Sequence, residues 1–437
     1  MAPGDIHHTL DQVLNQITTA NSIAALSVTL RNNLPRETRD AILASSLSGG
    51  QDPLSVLDMR VNTLGVLYIM SARLSLPGAH PPPHQLILEF CERFIPEQAR
   101  FAPERMTLLA RGIARYAEQS DRAAWAIAPL SNLVQRYPPH LSYLTSIHAV
   151  FLLTCVSTWH FTEALPILSV PITEIDTSLS DLNYNDNLLY HYSGGIALAA
   201  LKRWSEAEEF FEICFTSPGT VPSAIQLEAL KKWKLVQLIS KGTASNPPKY
   251  THPHLPRLFK NTHYHAFASA YPHNAELLRT IFEKEKPYFH GEKNLGLIQQ
   301  ALDRAPRWAL KKLTATYLTL GLADIGKAVK IESEEEVREL ILSMIESKDI
   351  SAKISADGAV TFYDPPPQFT KDQVDQVLRD VQDQAGALQV LDLEMGRSKE
   401  FLNKAVRNRE DFSGGGEEEI YGLLGGGAVW EDPAMFS

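Results

Sequence analysis

The sequence predicts an all-α, right-handed helical-repeat solenoid followed by a small α/β winged-helix subdomain and C-terminal helices. From about residue 5 to 245, apolar residues recur at helical spacing, with little of the two-residue alternation that marks half-buried strands. An aromatic-Ser/Thr-Glu-Ala signature occurs at 161–164 (FTEA) and again at 204–207 (WSEA), which indicates repeated units. Further along, two short alternating segments flank Asp357-Gly358, a pattern typical of a β-hairpin.

The length and charge of the chain limit the classes of protein to which it can belong. At 437 residues it exceeds the roughly 250–300 at which one hydrophobic core stops growing, so two or more domains are expected. Its residues are 44% hydrophobic, without a run of about 18 apolar residues that would span a bilayer. The net charge of −10 repels polyphosphates unless basic residues cluster locally. We therefore expect no membrane and no nucleic acid among its partners.

The N-terminal residues bear on the location of the protein, and the cysteines on disulfides and metal. The N-terminal stretch is mildly acidic and lacks the continuous apolar region of a signal peptide, so we expect a protein of the nucleus and cytoplasm. Three cysteines, Cys91, Cys155 and Cys214, are too few and too scattered for a disulfide framework or a zinc cluster. We expect them to be small buried hydrophobic residues.

Residues 188–219 read as a helical hairpin of the tetratricopeptide (TPR) type. Gly195 allows two helices to approach, and Trp204 closes the turn between them. In the second helix Ala207 and Phe211 pack a small residue against a large one, and Pro218 ends that helix. A weaker echo of the turn signature is DRAAW at 121–125. These hairpins are interpreted as consecutive units of an α-solenoid. The alternative is that unrelated hairpins share a common turn.

The predicted winged helix begins with two short helices, TYLTL (316–320) and LADIGKAV (322–329). Ser333, with Glu336 three residues on, forms a capping box that opens a third helix with one apolar face. Two strands, 349–355 and 359–364, then pair across a two-residue turn at Asp357-Gly358. Three helices and a hairpin make a winged helix.

The string GLADIGKAV (321–329) resembles a phosphate-binding loop. Such a loop needs a preceding buried strand and a Ser or Thr after the lysine to hold Mg²⁺. Here the upstream segment is predicted to be helical, and Ala328 follows Lys327. We expect no nucleotide, and interpret Gly321 and Gly326 as small residues where short helices meet closely.

Five of the fourteen histidines cluster within a short segment: His252, His254, His263, His265 and His273. A zinc hydrolase of the His-x-His type needs an Asp eleven residues past the second histidine, and the corresponding positions hold His265 and Glu276. The expected arrangement is a surface loop with one packed histidine, His265, and no metal.

A winged helix often binds DNA through its third helix. Between Ile331 and Asp349, however, the sequence has seven acidic and two basic residues. The resulting net charge of −5 repels phosphates. Protein–protein contact is the favoured role, and the exposed edge of the hairpin supplies a physical means of pairing with another chain.

A helical array that leads into an acidic winged helix is the arrangement of the PCI domain. The run LGLADIGKAVKI (320–331) and the following 334–362 resemble the PCI pattern of scaffold subunits in the proteasome lid, the COP9 signalosome and a translation initiation factor. Five further stretches resemble the subunit 3 family of the COP9 signalosome: LTSIHAVFLLTC (144–155), YHYSGG (190–195), LEALKKWKLVQLI (227–239), YHAFASAY (264–271) and NLGLIQQAL (294–302). The resemblance is continuous from about 140 to 364.

This resemblance implies a scaffold without catalytic residues, cofactor, metal or small-molecule substrate. The complex of that family removes a ubiquitin-like modifier from cullin-RING ubiquitin ligases, and its zinc metalloprotease is a different subunit. In that family, winged helices of neighbouring PCI subunits associate edge to edge and C-terminal helices gather into a shared bundle. The resemblance implies subunits 1 and 8 as the neighbours. A proteasome-lid or initiation-factor scaffold and a self-sufficient hydrolase are the alternatives.

The resemblance also divides the chain. The segments are a TPR-like repeat domain (1–245), a helical PCI segment (246–310), the PCI winged helix (311–364), C-terminal helices for bundle assembly (365–412) and a disordered Gly-rich acidic tail (413–437) in which Tyr421, Trp430 and Phe436 offer contact points. Four prolines within 243–262 indicate a linker or long loop. The predicted interface residues are Val360, Thr361 and Phe362 of the second hairpin strand and the helical stripe Val374, Leu378, Val381 and Leu388. For each, the alternative is a place in the chain's own core.

Overall fold

The computed structural model describes residues 9–32, 38–364, 369–399 and 401–403. The chain divides into two compact units, Met1–Phe362 and Tyr363–Ser437. The predicted tail at 413–437, with its three aromatic residues, lies outside the described residues. In the described parts, no helix is both long enough and apolar enough to cross a membrane.

The first unit begins with a helical array that confirms the predicted solenoid. Up to residue 136 its helices are α1 (Leu10–Thr19), α2 (Ile23–Asn32), α3 (Arg39–Ala44), α4 (Pro53–Val56), α5 (Thr63–Ser75), α6 (His84–Arg93), α7 (Pro96–Ala99), α8 (Pro103–Gln119) and α9 (Ile127–Arg136). The array continues as α10 (Ser146–Ser157), α11 (Leu165–Leu168), α12 (Tyr184–Ala200), α13 (Trp204–Thr216), α14 (Ala224–Lys241), α15 (His254–Lys260), α16 (His263–Ala270), α17 (Ala275–Gly291) and α18 (Leu295–Thr314).

One turn geometry recurs between successive helices of the array. Asp121, Trp159, Lys202 and Lys293 all have a φ between +53° and +62°. In each case the next residue donates its N–H to the carbonyl five positions earlier at 2.9 Å, which is the Schellman bond that ends a helix. A 3₁₀ turn or a helix then starts two residues after the left-handed residue. The signatures at 123, 161 and 204 therefore mark the start of a second helix, although FTEA leads only to the short α11.

The close approach predicted for α12 and α13 is present. A Cβ built at Gly195 would lie 2.7 Å from the ring of Phe211, and one at Gly194 would lie 2.7 Å from the ring of Phe210. Only a residue without a side chain fits at this crossing.

The segment predicted as a linker, 243–262, is only partly irregular, because α15 starts inside it at His254. Its first half is held against α14, where Gln237 accepts the N–H of Ser245 at 2.9 Å and donates to the Ser245 hydroxyl at 2.7 Å. The prolines shape a packed loop here, and one hydrophobic core runs continuously from Val13 to Ala305.

The winged helix has a second core, which runs from Leu310 to Phe362. Its elements are β1 (Thr319–Gly321), α19 (Leu322–Val329), α20 (Glu334–Glu346), β2 (Ser351–Ile354) and β3 (Ala359–Tyr363). The three strands form one sheet in the order β1-β3-β2. Helix α18 contributes Ile298, Ala301 and Ala305 to the first core and Leu310 to the second.

Two local predictions in this region were wrong. TYLTL is not a helix: residues 315–318 turn and Thr319–Gly321 form β1, antiparallel to β3, with Leu320 opposite Val360. The hairpin does not reverse through Asp357 and Gly358 alone, because the N–H of Gly358 donates to the carbonyl of Ser355 at 3.1 Å and the turn therefore spans residues 355–358. Gly358 has a positive φ (+82°), and the Asp357 carboxylate accepts the N–H of Ala359 at 3.2 Å.

Among its described residues, the second unit has the long helix α21 (Lys371–Arg397). It starts at Thr370, which forms a reciprocal capping box with Gln373. None of the side chains of α21 is buried.

Candidate protein-interaction surfaces

The segment that resembles a phosphate-binding loop is an ordinary short helix. Gly321 is the N-cap of α19, with a φ of −72°, so no glycine loop separates β1 from the helix. Lys327 lies in the last turn, 3.3 Å from Asp324. A Cβ at Gly326 would meet the carbonyl oxygen of Ile331 at 2.7 Å, so its small size is required, whereas the nearest atom to a Cβ at Gly321 is 3.7 Å away. The interpretation of close packing holds for Gly326 and was wrong for Gly321.

The clustered histidines make separate local contacts. His263 lies 3.3 Å from Glu285, the rings of His252 and His254 are 5.1 Å apart, and His265 is half-buried beside Phe259. Within the described residues, no three His, Cys, Asp or Glu side chains are grouped so that they could hold a metal ion. All three cysteines are buried, and burial raises the pKa of the Cys155 and Cys214 thiols to about 12.

The structure places Val360 and Phe362 in the winged-helix core, where their exposed fractions are 0% and 4%. Thr361 is half-buried, and its backbone lies opposite Thr319 of β1. β3 is thus the central strand, hydrogen-bonded on both sides, and it has no free edge. The reasoning that placed an exposed edge on the second hairpin strand needs correction, because β1 was not anticipated. The side chains of Val360 and Phe362 occupy the alternative position, the chain's own core.

The sheet edges belong to β1 and β2. Phe362 donates its N–H to Leu318 and Leu322 donates its N–H to Gly358, so the alternate residues Thr319 and Gly321 direct their backbone groups outward. Among the described residues, neither β1 nor β2 pairs with a further strand. Next to β1, the side chain of Leu318 is 80% exposed. Sequence reasoning missed this edge, since a three-residue strand gives almost no periodic signal.

Helix α20 presents an acidic face beside the sheet. Ser333 caps the helix by accepting the N–H of Glu336, and the exposed residues Glu334, Glu335 and Glu339 follow on the solvent side. Val337, Ile341 and Met344 fill the core on the other side. The helix that would enter a DNA groove therefore carries charge of the same sign as phosphate.

Helix α21 brings the remaining predicted residues together on one side. Val374, Val381 and Leu388 are spaced by seven residues, and apolar residues lie at the intervening positions 377, 391 and 395, whereas position 384 holds the polar Gln384. We define the α21 seam as the apolar residues of this series: Val374, Val377, Val381, Leu388, Leu391 and Met395. Each is 45–65% exposed, and Leu378 flanks the seam at 54%. Val377 and Leu391 were missed from the sequence, although the three-four alternation contains them.

Two family profiles match this chain. One, described as COP9 signalosome complex subunit 3, N-terminal helical repeats, matches residues 10–255, and the other, the PCI domain, matches 274–364. The chain belongs to the COP9 signalosome subunit 3 family. The protein named COP9 signalosome complex subunit 3 in Drosophila melanogaster is 30% identical over 429 residues, which cover 92% of this chain and 96% of that protein. The protein of the same name in Dictyostelium discoideum is 28% identical over 371 residues, or 82% of this chain and 88% of that protein.

The two family matches of this COP9 signalosome subunit 3 family member cover the winged helix but not α21. The PCI match runs from Asn274, the N-cap of α17, to Asp364, just after β3. It therefore includes α18, α20 and all three strands. The α21 seam lies beyond both matches, so its assignment depends on its own geometry.

Proposed function

We propose that the chain is a non-catalytic scaffold subunit of the COP9 signalosome, assembled through its PCI winged helix and its C-terminal helix. The PCI match and the subunit name shared by both relatives support this role. Other signalosome subunits are the partners, with subunits 1 and 8 as the proposed neighbours. The proposed activity of the whole complex is removal of a ubiquitin-like modifier from cullin-RING ligases in the nucleus and cytoplasm, with the metalloprotease in another subunit.

The observation that carries the proposal is the α21 seam. In this 27-residue helix six apolar side chains lie on one seam and none is buried, so burial within the described residues contributes little to its stability. Burying a half-exposed Val, Leu or Met contributes roughly 1 kcal/mol each, so helices from partner subunits would supply about 6 kcal/mol before the costs of association. Helices of other chains, packed against this seam, would bury its apolar side chains and so stabilise α21.

The winged helix supplies a second contact. The outward backbone groups of Thr319 and Gly321 in β1 are suited to pairing with a strand of another chain, and so is the edge of β2. Two separate surfaces are consistent with a subunit that joins several neighbours.

The test is purification of the tagged full-length chain from its own cells, followed by native mass spectrometry and a cleavage assay on modifier-conjugated cullin. Val381→Asp and Leu388→Asp introduce charge into the seam without touching any buried residue. Gln382→Asp introduces the same charge one position away, off the seam, and is the matched control.

We expect wild type and Gln382→Asp to recover other PCI subunits, a metalloprotease subunit and cleavage activity, and the two seam variants to recover less than a tenth as much complex. Recovery of wild type with proteasome or initiation-factor components would move the function to a sister complex. Full assembly of both seam variants would exclude α21 from the interface.

A further inference from the structure

A continuous chain of six polar side chains, four of them buried and two half-buried, lies inside the helical array. We call it the buried relay, and its members in order are Lys232, Asn294, Tyr264, Glu292, Lys231 and Glu228. Lys232 donates to the Asn294 side-chain oxygen at 2.5 Å, and Asn294 donates to the Tyr264 hydroxyl at 2.8 Å. Tyr264 donates to Glu292 at 2.8 Å. The relay thus connects α14, α16 and the turn between α17 and α18.

The relay ends in ion pairs between Lys231 and two glutamates. Lys231 donates to Glu292 at 2.7 Å and to Glu228 at 2.6 Å. Two lysines face two glutamates, so the group is neutral overall, and both lysines are at most 4% exposed. Burial lowers the pKa of Lys232 to about 8. For Lys231 burial also acts to lower the pKa, but the hydrogen bonds that it donates to Glu228 and Glu292 outweigh burial, so its pKa is raised. Buried ion pairs of this kind add little stability compared with apolar packing.

The relay holds the start of α18. Asn294, itself 0% exposed, directly precedes Leu295, where α18 begins, and it follows the left-handed Lys293 of the Schellman turn. Two of the six relay residues, Glu292 and Asn294, belong to this turn. The direction in which α18 leaves the turn is therefore set by bonds to α14 and α16.

Helix α18 then passes from the first core into the second. Its 20 residues span about 30 Å, and only its C-terminal part lies in the winged-helix core. A second set of contacts holds its middle: Arg304 and Trp308 both donate to the carbonyl of Ile239 at the end of α14, at 3.1 and 3.2 Å. A Cβ at Gly242 would lie 2.5 Å from the Trp308 ring, so the ring is packed directly against the backbone of Gly242.

We infer that the buried relay is a positioning device, which fixes the angle of α18 and thereby the place of the winged helix relative to the repeats. A rotation of 5° at Asn294 displaces the far end of a 30 Å helix by roughly 2–3 Å. Contact surfaces tolerate much less than that before shape complementarity is lost. The consequence for assembly rests on the proposed scaffold function, whereas the angle itself is a property of this chain alone.

The test removes the two relay residues at one end, Lys232 and Asn294, and leaves Tyr264 still donating to Glu292. Lys232→Met with Asn294→Leu replaces both ends of the first hydrogen bond by apolar side chains of similar size, a change that is often neutral for stability. The control is Lys241→Met on the same helix, whose exposed amine bonds Glu208 at 2.6 Å outside the relay. Spin labels on Glu209→Cys and Glu339→Cys report the distance between repeats and winged helix in the full chain, because the three native cysteines are buried.

We expect one narrow distance distribution for wild type and Lys241→Met, and a shift of at least 2 Å or a doubled width for the double variant at an unchanged thermal midpoint. Its recovery with partner subunits should fall at least fivefold. An unchanged distribution in a stable double variant overturns the inference. If the double variant unfolds, Tyr264→Phe, which removes only the central hydroxyl, is measured instead by the same criterion. Failure of wild type to assemble would refute the proposed function and leave the distance result to decide on the relay.

Discussion

Gly195→Ala tests the packing of the repeats at one atom. Gly195 lies in the middle of α12, where alanine would normally be the better helix former by about 1 kcal/mol. The new Cβ would nevertheless lie 2.7, 2.8 and 3.0 Å from three ring atoms of Phe211, which has an exposed fraction of 0%. We therefore expect a loss of stability in spite of the higher helix propensity.

The size of the loss follows from the opposing contributions. Overpacking a close-packed core by one methyl group costs about 1–3 kcal/mol, because the ring has no space into which it can move. Subtracting about 1 kcal/mol for helix propensity leaves a net destabilisation of about 1–2 kcal/mol. In a chain of this size the thermal midpoint should fall by a few degrees.

The assay is thermal and urea unfolding of the full chain followed by circular dichroism. The matched control is Gly296→Ala in α18, where nothing lies within 4 Å of the new Cβ, and we expect no loss there. Adding Phe211→Leu to Gly195→Ala should recover about 1 kcal/mol relative to the sum of the single changes, since the ring is removed. A Gly195→Ala protein as stable as wild type would show that the helices can separate at no cost, and would refute the reasoning.

Three further predictions concern single sites. His148 is fully buried, and burial lowers its pKa to about 4 from 6.5. Its contribution to stability is therefore complete above pH 6.5 and is lost as the pH falls toward 4, by about 2 kcal/mol at pH 5. His148→Gln, which keeps the Thr145 capping box, should make the free energy of unfolding less dependent on pH over this range, and a pH dependence identical to that of wild type would contradict the prediction. Lys202→Gly should raise stability by about 0.5–1 kcal/mol in urea unfolding, because glycine adopts a φ of +61° without strain, and Lys202→Ala, the control, should not. Val360→Asp should unfold the winged helix, since a buried carboxylate costs more than about 3 kcal/mol, and hydrogen exchange that still protects β3 in this variant would disprove its burial.

The repeat array was predictable because its signals are local. The turns at Asp121, Trp159 and Lys202 each come two residues before a helix or 3₁₀ turn that begins with an aromatic residue or alanines. The sequence signature therefore lies at the positions where the same Schellman geometry recurs. Such a turn needs only residues within six positions, so a pattern read along the chain detects it.

The sheet was less predictable because its pairing is tertiary. The segment TYLTL lacks the alternation of a longer strand, and Thr319–Gly321 becomes β1 only because Ala359–Thr361 lies beside it. Because β1 was missed, the free edge of the sheet was assigned to β3, which is in fact the central strand. By contrast, the apolar alternation in β2 and β3 was sufficient to locate the hairpin.

The candidate site on α21 was predicted in part. Val374, Leu378, Val381 and Leu388 were identified from helical spacing, and all four are exposed on that helix. Which chains cover the seam is information held in other sequences, and this chain alone does not contain it.

The exposed state of α21 also bears on how much of this protein a cell retains. A newly made copy without partners presents six half-exposed apolar side chains on a helix in which no side chain is buried. Chaperones and proteases act on such segments, so unassembled copies should be short-lived. The steady-state amount of the chain would then follow the supply of its partners rather than its own rate of synthesis.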